Sequence, residues 1–351
     1  MYCKPVSAFI ISFSLLISFF ALPADARTEA RKTFSETLPD GAHLLTEERA
    51  LMGTQVIIKA IGNERDQVDV AIKAAFAEVW RLEKLMSSYI PESPLSKINQ
   101  NAGKQPVPVS RELFLLIKKS LHFSELTHGA FDISFASVGK LWSFRKKIVP
   151  TSDVVKAQLP FVNYKKIRIE DADTSVFLPS ARMKIALGGI GKGYAMDRAM
   201  ITLKEHGINN AMVMAGGDTL IRGKKGSESW RIGLRDPNKK DGILSVLPLT
   251  DQAISTSGDY ERFFMKDGLR YHHILDTKTG FPAMLCRSVS ILAPDATTSD
   301  ALSTSVFVLG PKEGLALIDR LKGVEGIIVD PEGKIHLSSG LMALNTEIQG
   351  K

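Results

Sequence analysis

Seven short strand-like segments follow one another in the second half of the chain, with only turns between them. These segments lie at residues 211–222, 229–235, 243–249, 252–256, 262–266, 271–275 and 287–293. Consecutive strands joined by short turns pair antiparallel, because a parallel pair needs a crossover of a dozen or more residues. The pattern predicts an antiparallel-rich sheet, and it argues against the two doubly wound lobes of a periplasmic solute-binding protein.

Helical patterns lie on either side of these strands. The predicted helices cover residues 66–88, 111–127, 298–309 and 312–322, and further strands are predicted at 50–61, 166–170 and 175–178, with a terminal hairpin at 326–337. In the first helix the expected buried face consists of Val70, Ala74, Ala77, Leu82 and Leu85, which recur near helical spacing. The mixture of elements predicts an α+β fold.

The N-terminus has the three-part pattern of a secretory signal peptide. Lys4 precedes an apolar run at residues 9–22, and the small-x-small site Ala24-Asp25-Ala26 follows it. The run is shorter than the roughly 20 residues that span a bilayer, so we expect cleavage of residues 1–26 rather than their retention as an anchor. The protein is then periplasmic, and it is associated with the inner membrane if the signal is retained.

Cysteine content and charge exclude several classes of protein. Cys3 and Cys286 are too few for a cysteine-based zinc site, an iron–sulfur cluster or a disulfide scaffold. The formal net charge is +7, and we expect it to be spread along the chain rather than gathered into a block. Such a distribution argues against nucleic acid as a partner and allows an anionic small ligand.

Four glycines and Lys192 lie where a strand turns into a helix, within residues 186–194 (ALGGIGKGY). Glycines let the backbone approach a ligand closely, and a helix N-terminus offers free N–H groups, so a phosphate or diphosphate site is one interpretation. The segment is neither a Walker A loop, since Gly193 follows the lysine, nor a dinucleotide fingerprint, since Tyr194 takes the third glycine position. The alternative is a close-packed helix start.

Asp300 and Thr304 are four residues apart in a predicted helix and so present a carboxylate and a hydroxyl from one face. Oxygen ligands suit Mg²⁺, which keeps several waters and borrows phosphate oxygens from its substrate. The alternative is a capped helix start in which Asp300 complements the helix dipole.

Two adjacent histidines, His272 and His273, follow the segment Ser257-Gly258-Asp259-Tyr260. Neighbouring residues on a strand point to opposite faces, so at most one histidine faces a given site. A histidine beside a phosphate could act as a general base toward a hydroxyl, and the alternative is a structural role.

Tyr89, in a loop after the first helix, could stack on a planar ring or cover the core.

Taken together and in this order, these segments resemble the ApbE family of FAD:protein FMN transferases. Eight pieces carry the resemblance: Met52-Gly53-Thr54, MSSYIPESPLSKIN at 86–99, HGAFDIS at 128–134, LGGIGKGYAMD at 187–197, AGGD at 215–218, STSGDYERFF at 255–264, HHILDTKTG at 272–280 and TTSDALSTSVFVLG at 297–310.

The resemblance implies a fold of two intimately packed α/β subdomains with mixed, largely antiparallel sheets and the FAD site between them. The domain would occupy residues 46–345, after an N-terminal extension at 27–45. It further implies that FAD is held with its diphosphate on Mg²⁺, and that FMN passes to a Ser or Thr hydroxyl of an acceptor protein with release of AMP. By the same resemblance, the acceptor is an exported domain of a membrane-bound redox complex, carrying a Ser/Thr flavinylation motif.

Site residues follow from the same resemblance, position by position. Asp300 and Thr304 match the metal ligands, and they are joined by a backbone carbonyl placed at Gly189. Lys192 matches the position near the FAD phosphates, and His273 matches the histidine that acts as base toward the acceptor hydroxyl. The positions that contact the flavin are Met52, Tyr89, Ala130, Phe131, Asp132 and Ile274.

The sequence differs from the family pattern at two positions, and two alternative functions fit the same resemblance. Ala186 stands where the family commonly has an acidic residue, which puts one ribose or adenine contact in doubt, and Thr277 follows Asp276 where many members have proline. The same scaffold could instead hydrolyse FAD to FMN and AMP, with water in place of the protein hydroxyl. It could also bind flavin without turnover.

Overall fold

The structure, a computed structural model, describes residues 32–239 and 242–343. The expected signal peptide lies outside the described residues, and so do residues 27–31 of the expected N-terminal extension.

The described residues form sixteen β-strands and eight α-helices. The strands are β1 (Lys32–Thr37), β2 (His43–Leu51), β3 (Thr54–Gly62), β4 (Val107–Pro108), β5 (Arg168–Glu170), β6 (Ser175–Phe177), β7 (Asn210–Ala215), β8 (Asp218–Arg222), β9 (Trp230–Arg235), β10 (Ile243–Leu249), β11 (Ala253–Gly258), β12 (Phe263–Lys266), β13 (Leu269–His272), β14 (Ser288–Ala293), β15 (Glu325–Val329) and β16 (Ile335–Leu337). The α-helices are α1 (Arg65–Met86), α2 (Pro94–Gln100), α3 (Arg111–Leu126), α4 (Ala136–Gly139), α5 (Ser152–Gln158), α6 (Gly191–Glu205), α7 (Ala296–Ile318) and α8 (Ser339–Ala343).

One sheet of nine strands organises the described part of the molecule. Its order is β1-β2-β3-β7-β8-β11-β14-β15-β16, and every pairing within it is antiparallel. The α+β class predicted from the sequence is confirmed, and the sheet lacks the parallel βαβ units of a doubly wound lobe. Strand β2 begins at His43 and pairs with β1, so the sheet extends into the residues expected to form the N-terminal extension.

Each face of the sheet is covered by a different layer. Helices α1, α6 and α7 pack on one face and bury the main core with residues such as Phe76, Met196 and Phe307. The β9–β10 ribbon covers the other face with Trp230 and Leu247. The sheet is therefore buried on both sides along its centre.

The buried face of α1 differs from the expected one. Val70 is 56% exposed, and the side chains that face the core are Val68, Ala71, Ile72, Ala75, Phe76, Val79, Leu82 and Met86. Leu82 is buried as expected, whereas Ala77 is exposed, because Phe76 and Ile72 bury more apolar surface and orient the helix.

Two predicted strands are each two strands joined by a hairpin turn. The segment 50–61 reverses at Met52-Gly53, where φ is 54° and 69°, and 211–222 reverses at Gly216-Gly217, where φ is 62° and 101°. Positive φ values at both positions are typical of tight hairpin turns. Because β3 and β7 are paired antiparallel neighbours, both turns lie at the same end of the sheet.

Helix α7 joins the two helices predicted at 298–309 and 312–322. Its helical geometry breaks at Gly310, where φ is 79°, and Pro311 follows. Among the described residues α7 is also the one helix long and apolar enough to cross a membrane, but much of it is buried against β11 and β14, as in a core helix of a globular domain.

Candidate active site

The glycine turn delivers Lys192 into a buried pair of carboxylates. Helix α6 begins at Gly191, and Lys192 lies in its first turn. Its Nζ lies 2.5 Å from Oδ2 of Asp218 and 3.1 Å from Oδ1 of Asp300. Both carboxylates are buried, so three charges meet at one point where α6, β8 and α7 converge.

Close approach of α6 to α7 fixes the position of Asp300. A Cβ atom at Gly193 would lie 2.1 Å from the carbonyl oxygen of Ala296, so a side chain cannot be placed there. The amide of Gly193 instead donates to Oδ2 of Asp300 over 2.9 Å. Asp197, one turn later on α6, accepts hydrogen bonds from the amides of Ala296 and Thr297 and thereby caps α7.

Thr304 lies beside the glycine turn, as the metal prediction requires. A Cβ atom at Gly189 would be 3.4 Å from Oγ1 of Thr304 and 3.1 Å from the ring of Phe131. Ser257, at the end of β11, has its Oγ 3.5 Å from Oγ1 of Thr304 and 3.0 Å from Oγ of Ser303. The structure thus brings Gly189, Thr304 and Phe131 together at the end of the sheet that holds the Met52-Gly53 and Gly216-Gly217 turns.

The electrostatics of this cluster favour an additional cation. Burial raises the pKa of Asp218 to about 6, and Asp300 adds to the rise while Lys192 opposes it. Burial by itself would lower the pKa of Lys192, but the two carboxylates raise that pKa above its ordinary value. Two carboxylates and one ammonium leave a net charge of −1 among buried hydroxyl and carboxylate oxygens. This donor set fits a hard divalent cation such as Mg²⁺.

A metal site built from protein side chains alone is not found. Within residues 32–239 and 242–343, no group of three or more His, Cys, Asp and Glu side chains is placed to hold a metal ion. A cation here would need further ligands from water or from a phosphate-bearing substrate, which is the usual arrangement for Mg²⁺.

His273 follows β13 and is held as a neutral ring. Its amide donates to the carbonyl of Arg262 over 3.1 Å, and its Nδ1 is buried without a hydrogen-bond partner among the described residues. Burial, with the positive charges of Arg262 and Lys192, lowers the pKa of His273 to about 3. A neutral imidazole with a free nitrogen can accept a proton. His272 instead bonds the carbonyl of Ala283 and is buried, which separates the roles of the two histidines.

The Met52 turn and Ile274 border the same region. Arg262 donates from Nη2 to the carbonyl of Gly53 over 3.1 Å, so the turn at Met52-Gly53 is tied to the segment that carries His273. Ile274 is buried in the main core, and its carbonyl accepts from the amide of Ala283.

The loop at 128–132 contributes buried residues, but the carboxylate of Asp132 is already engaged. It accepts hydrogen bonds from the amides of Ser134 and Tyr164 at 2.7 and 2.8 Å. The side chain of Asp132 therefore fixes the loop. Ala130 and Phe131 are both buried, with the Phe131 ring at the glycine turn.

Tyr89 is 85% exposed and makes no ring contact among the described residues. It follows the C-terminal end of α1, where Met86 lies next to Gly191. Its loop therefore borders the glycine turn.

Four residues of the site had no role in the sequence analysis: Asp218, Ser257, Arg262 and Asp197. Each lies inside one of the eight pieces that carry the resemblance, but none has a distinctive spacing. A signal existed for Asp218, because an acidic residue directly after a Gly-Gly hairpin turn sits at a strand end, where binding residues gather.

A cavity of about 1040 Å³ lies on the opposite face of α6, lined among others by Tyr194, Arg198 and Ile201. None of the site residues predicted from the sequence lines it. The cavity borders the site at Asp197, which lines it.

Comparison with known proteins agrees with the resemblance. The model of the ApbE family matches residues 52–328. A FAD:protein FMN transferase of Treponema pallidum is 34% identical over 296 residues, covering 79% of this chain and 81% of its own length. One of Klebsiella pneumoniae is 31% identical over 293 residues, covering 82% of this chain and 90% of its own length.

Solved structures show the same fold. An ApbE protein of Thermotoga maritima has a TM-score of 0.79 at 34% identity, covering 90% of this chain and all of that one. The flavin transferase ApbE of Vibrio cholerae has a TM-score of 0.76 at 28% identity, covering 86% of this chain and 99% of that one. The family match spans most of the chain and includes every predicted site residue, so the chain belongs to the ApbE family.

Proposed function

We propose that the protein transfers FMN from FAD to a Ser or Thr hydroxyl of an acceptor protein and releases AMP. The observation that carries the proposal is the buried cluster of Lys192, Asp218 and Asp300 next to the glycine turn, with the neutral His273 near enough for the charge of Lys192 to lower its pKa. Relatives of known name act as FAD:protein FMN transferases, which supports the same reaction here.

Two different residues perform the two tasks of the reaction, stabilisation of the phosphate charge and transfer of the proton. Lys192 places a positive charge where the diphosphate of FAD would lie against the glycine turn. His273 takes the proton of the acceptor hydroxyl. The hydroxyl oxygen then forms a bond to the FMN phosphorus while the phosphoanhydride bond to AMP breaks, and AMP leaves with the electron pair.

Asp300, Thr304 and the carbonyl of Gly189 would hold Mg²⁺, with Asp218 on the other side of Lys192. When bound, such an ion supplies neutralisation of the diphosphate charge. The net charge of −1 in the cluster and its oxygen donors support this assignment.

We further propose that the reaction takes place in the periplasm, on an exported domain of a membrane-bound redox complex. The signal-peptide pattern of residues 1–26 supports export. Cell fractionation combined with N-terminal sequencing tests it. A mature chain in the periplasm that starts at Arg27 is expected, and a cytoplasmic chain with an intact N-terminus would contradict it.

The test of the reaction is an incubation of the purified protein with FAD and MgCl₂, with and without candidate exported acceptor domains. AMP release is measured together with the intact mass of each domain. We expect AMP and a mass gain of one FMN on a single domain.

Other outcomes contradict the proposal in distinct ways. Release of AMP and free FMN without an adduct would identify a FAD pyrophosphatase. Stoichiometric retention of FAD with no product, across all domains offered, would identify a flavin-binding protein.

A further inference from the structure

The positive charge of the chain is concentrated in one region, contrary to the even spread expected from the sequence. Residues 133–168 contain eight basic side chains and one acidic side chain, a surplus of seven that equals the formal net charge of the whole chain. Three of the basic residues, Arg145, Lys146 and Lys147, are consecutive and exposed at the tip of a short hairpin closed by the Ser143–Ile148 bridge. None of the three has an acidic partner in the described part of the chain.

A second hairpin, β12–β13, packs against the aromatic residues next to this basic tip. The ring of Phe144 is 6.0 Å from that of Phe264 in β12, and Trp142 is 5.9 Å from Tyr271 in β13. Because aromatic rings join the bases of the two hairpins, their tips are neighbours on the protein surface.

The pairing of β12 with β13 shows which side chains of the second hairpin share that surface. Phe264 pairs with Tyr271, and Lys266 pairs with Leu269. Residues two apart on a strand lie on the same face, so Lys266 and Leu269 project on the side of the basic tip. Leu269 is 58% exposed. We call Arg145, Lys146, Lys147, Lys266 and Leu269 the tip surface.

The tip surface is continuous with the catalytic histidine. Leu269 begins β13, and His273 directly follows the end of that strand, so the two residues are at most about 13 Å apart. Each partner in a stable protein complex contributes a patch of roughly 800 Å², which is wide enough to cover both. A protein whose hydroxyl reaches His273 must therefore lie over the tip surface or directly beside it.

We infer that the tip surface docks the acceptor domain through an acidic, partly apolar patch next to its modified hydroxyl. The inference rests on the proposed function, because it takes the occupant to be the protein that receives FMN. The four exposed cations would attract and orient an acidic surface, and Leu269 would be buried against an apolar side chain. The cations act on the encounter with the acceptor and do not touch FAD.

The test uses the acceptor domain that gains FMN in the assay above, with steady-state kinetics at several salt concentrations. The variant Arg145→Glu/Lys146→Glu/Lys147→Glu reverses the basic tip. A control, Lys204→Glu/Lys224→Glu/Lys322→Glu, makes the same change in net charge. Its three exposed positions lie at, or within a few residues after, the C-terminal ends of α6, β8 and α7. Circular dichroism and FAD affinity check that both variants are folded and bind the donor.

The expected result is that the tip variant raises the KM for the acceptor domain by about tenfold or more with kcat within about twofold, and weakens its salt dependence. The control variant should keep the wild-type KM within about twofold. Equal effects of both variants, or no effect of the tip variant, would overturn the inference while leaving the transferase activity established.

Two further outcomes separate the possibilities. If no domain gains FMN, the proposed function itself fails. If the protein sediments with vesicles of phosphatidylglycerol and phosphatidylcholine, and the tip variant loses this binding at an unchanged KM for the acceptor, the surface binds membranes and the inference is wrong.

Discussion

At the scale of single residues, the carboxylate of Asp300 has two partners already in place. Lys192 lies against Oδ1, and the amide of Gly193 donates to Oδ2. A divalent cation at this site would therefore share Asp300 with the ammonium of Lys192 rather than find an empty ligand. The carboxylate links the packing of α6 on α7 to the charge balance of the site, so a change there affects both.

Replacing Asp300 with asparagine should abolish Mg²⁺-dependent turnover and cost a modest part of the stability. The amide keeps the shape of the side chain but removes the charge, which leaves Lys192 with Asp218 alone. We expect AMP release to fall by about 10²-fold or more. Asp295→Asn, a matched change in the N-cap residue of the same helix, keeps a side-chain oxygen for the cap and should leave both stability and turnover nearly intact. Near-normal turnover in folded D300N would remove the metal assignment.

Replacing His273 with glutamine should slow FMN transfer by about 10²-fold or more, the scale of a lost general base, while FAD still binds. In the proposed reaction the imidazole of His273 accepts the proton of the acceptor hydroxyl, and the glutamine amide cannot serve as a base. Single-turnover transfer and equilibrium FAD binding are measured on the same preparation. Unchanged transfer would leave His273 a structural residue.

The neutral state of His273 also predicts how stability depends on pH. Its pKa of about 3 in the folded protein lies below the 6.5 of a free imidazole. As the pH falls from 6.5 towards 3, the unfolded chain binds a proton that the folded chain does not. The free energy of unfolding therefore decreases over this pH range. Urea unfolding at several pH values should show a smaller acid loss in H273Q than in the wild type. His122→Gln, at an exposed position on α3, should keep the wild-type slope, and identical slopes in all three proteins would contradict the prediction.

At the scale of secondary-structure elements, the contact between α6 and α7 positions the site. Gly193 lets the two helices approach until its amide reaches Asp300, and Asp197 caps α7 from the next turn of α6. Both interactions join residues about a hundred positions apart in sequence. The carboxylate and the lysine therefore meet only because these two helices pack at this point.

Gly193→Ala should be strongly destabilising, because its Cβ would lie 2.1 Å from the backbone oxygen of Ala296. A backbone atom cannot rotate away, so the helices must separate, and we expect a loss of about 3 kcal/mol or more of unfolding free energy. Gly188→Ala is the matched control, since its Cβ would meet no atom within 4 Å. Thermal and urea unfolding of both variants measure the difference, and equal stabilities would refute the close packing.

At the scale of the whole molecule, the three helices and the central strands share one core, and Cys286 lies inside it. Cys286 is buried, and burial raises the pKa of its thiol to about 12. Because no other cysteine remains after residue 26, its reactivity reports how often this core opens.

A chain that begins at residue 27 should resist alkylation by iodoacetamide at pH 8 in its native state and react readily in urea. Raising the thiol pKa from 9 to 12 lowers the thiolate fraction by about 10³-fold, and burial blocks access as well. Mass spectrometry over time follows the modification. Rapid alkylation of the folded protein would show that the core around Cys286 opens without global unfolding.

Much of the fold was accessible from sequence periodicity. The boundaries of α3, β9, β10 and β14 were predicted closely, because capping residues and the alternation of apolar residues are local signals. The errors in the predicted elements occurred where a run of apolar residues concealed a turn, or where packing decided which face of a helix is buried. The turns at Met52 and Gly216 lie inside apolar runs that read as single strands, and the buried face of α1 depends on which side chains the sheet accepts.

The sequence by itself determined which residue types the site would contain. Glycine turns, helical spacing and the family resemblance are all recognised in short segments of sequence. These local signals predicted Lys192, Asp300, Thr304 and His273. The tertiary structure alone decided that Asp218 joins Lys192, that the carboxylate of Asp132 is occupied by Ser134 and Tyr164, and that the basic tip lies beside the hairpin leading to His273. Distances and burial between residues far apart in sequence arise only when elements pack, and pKa values and charge complementarity follow from them.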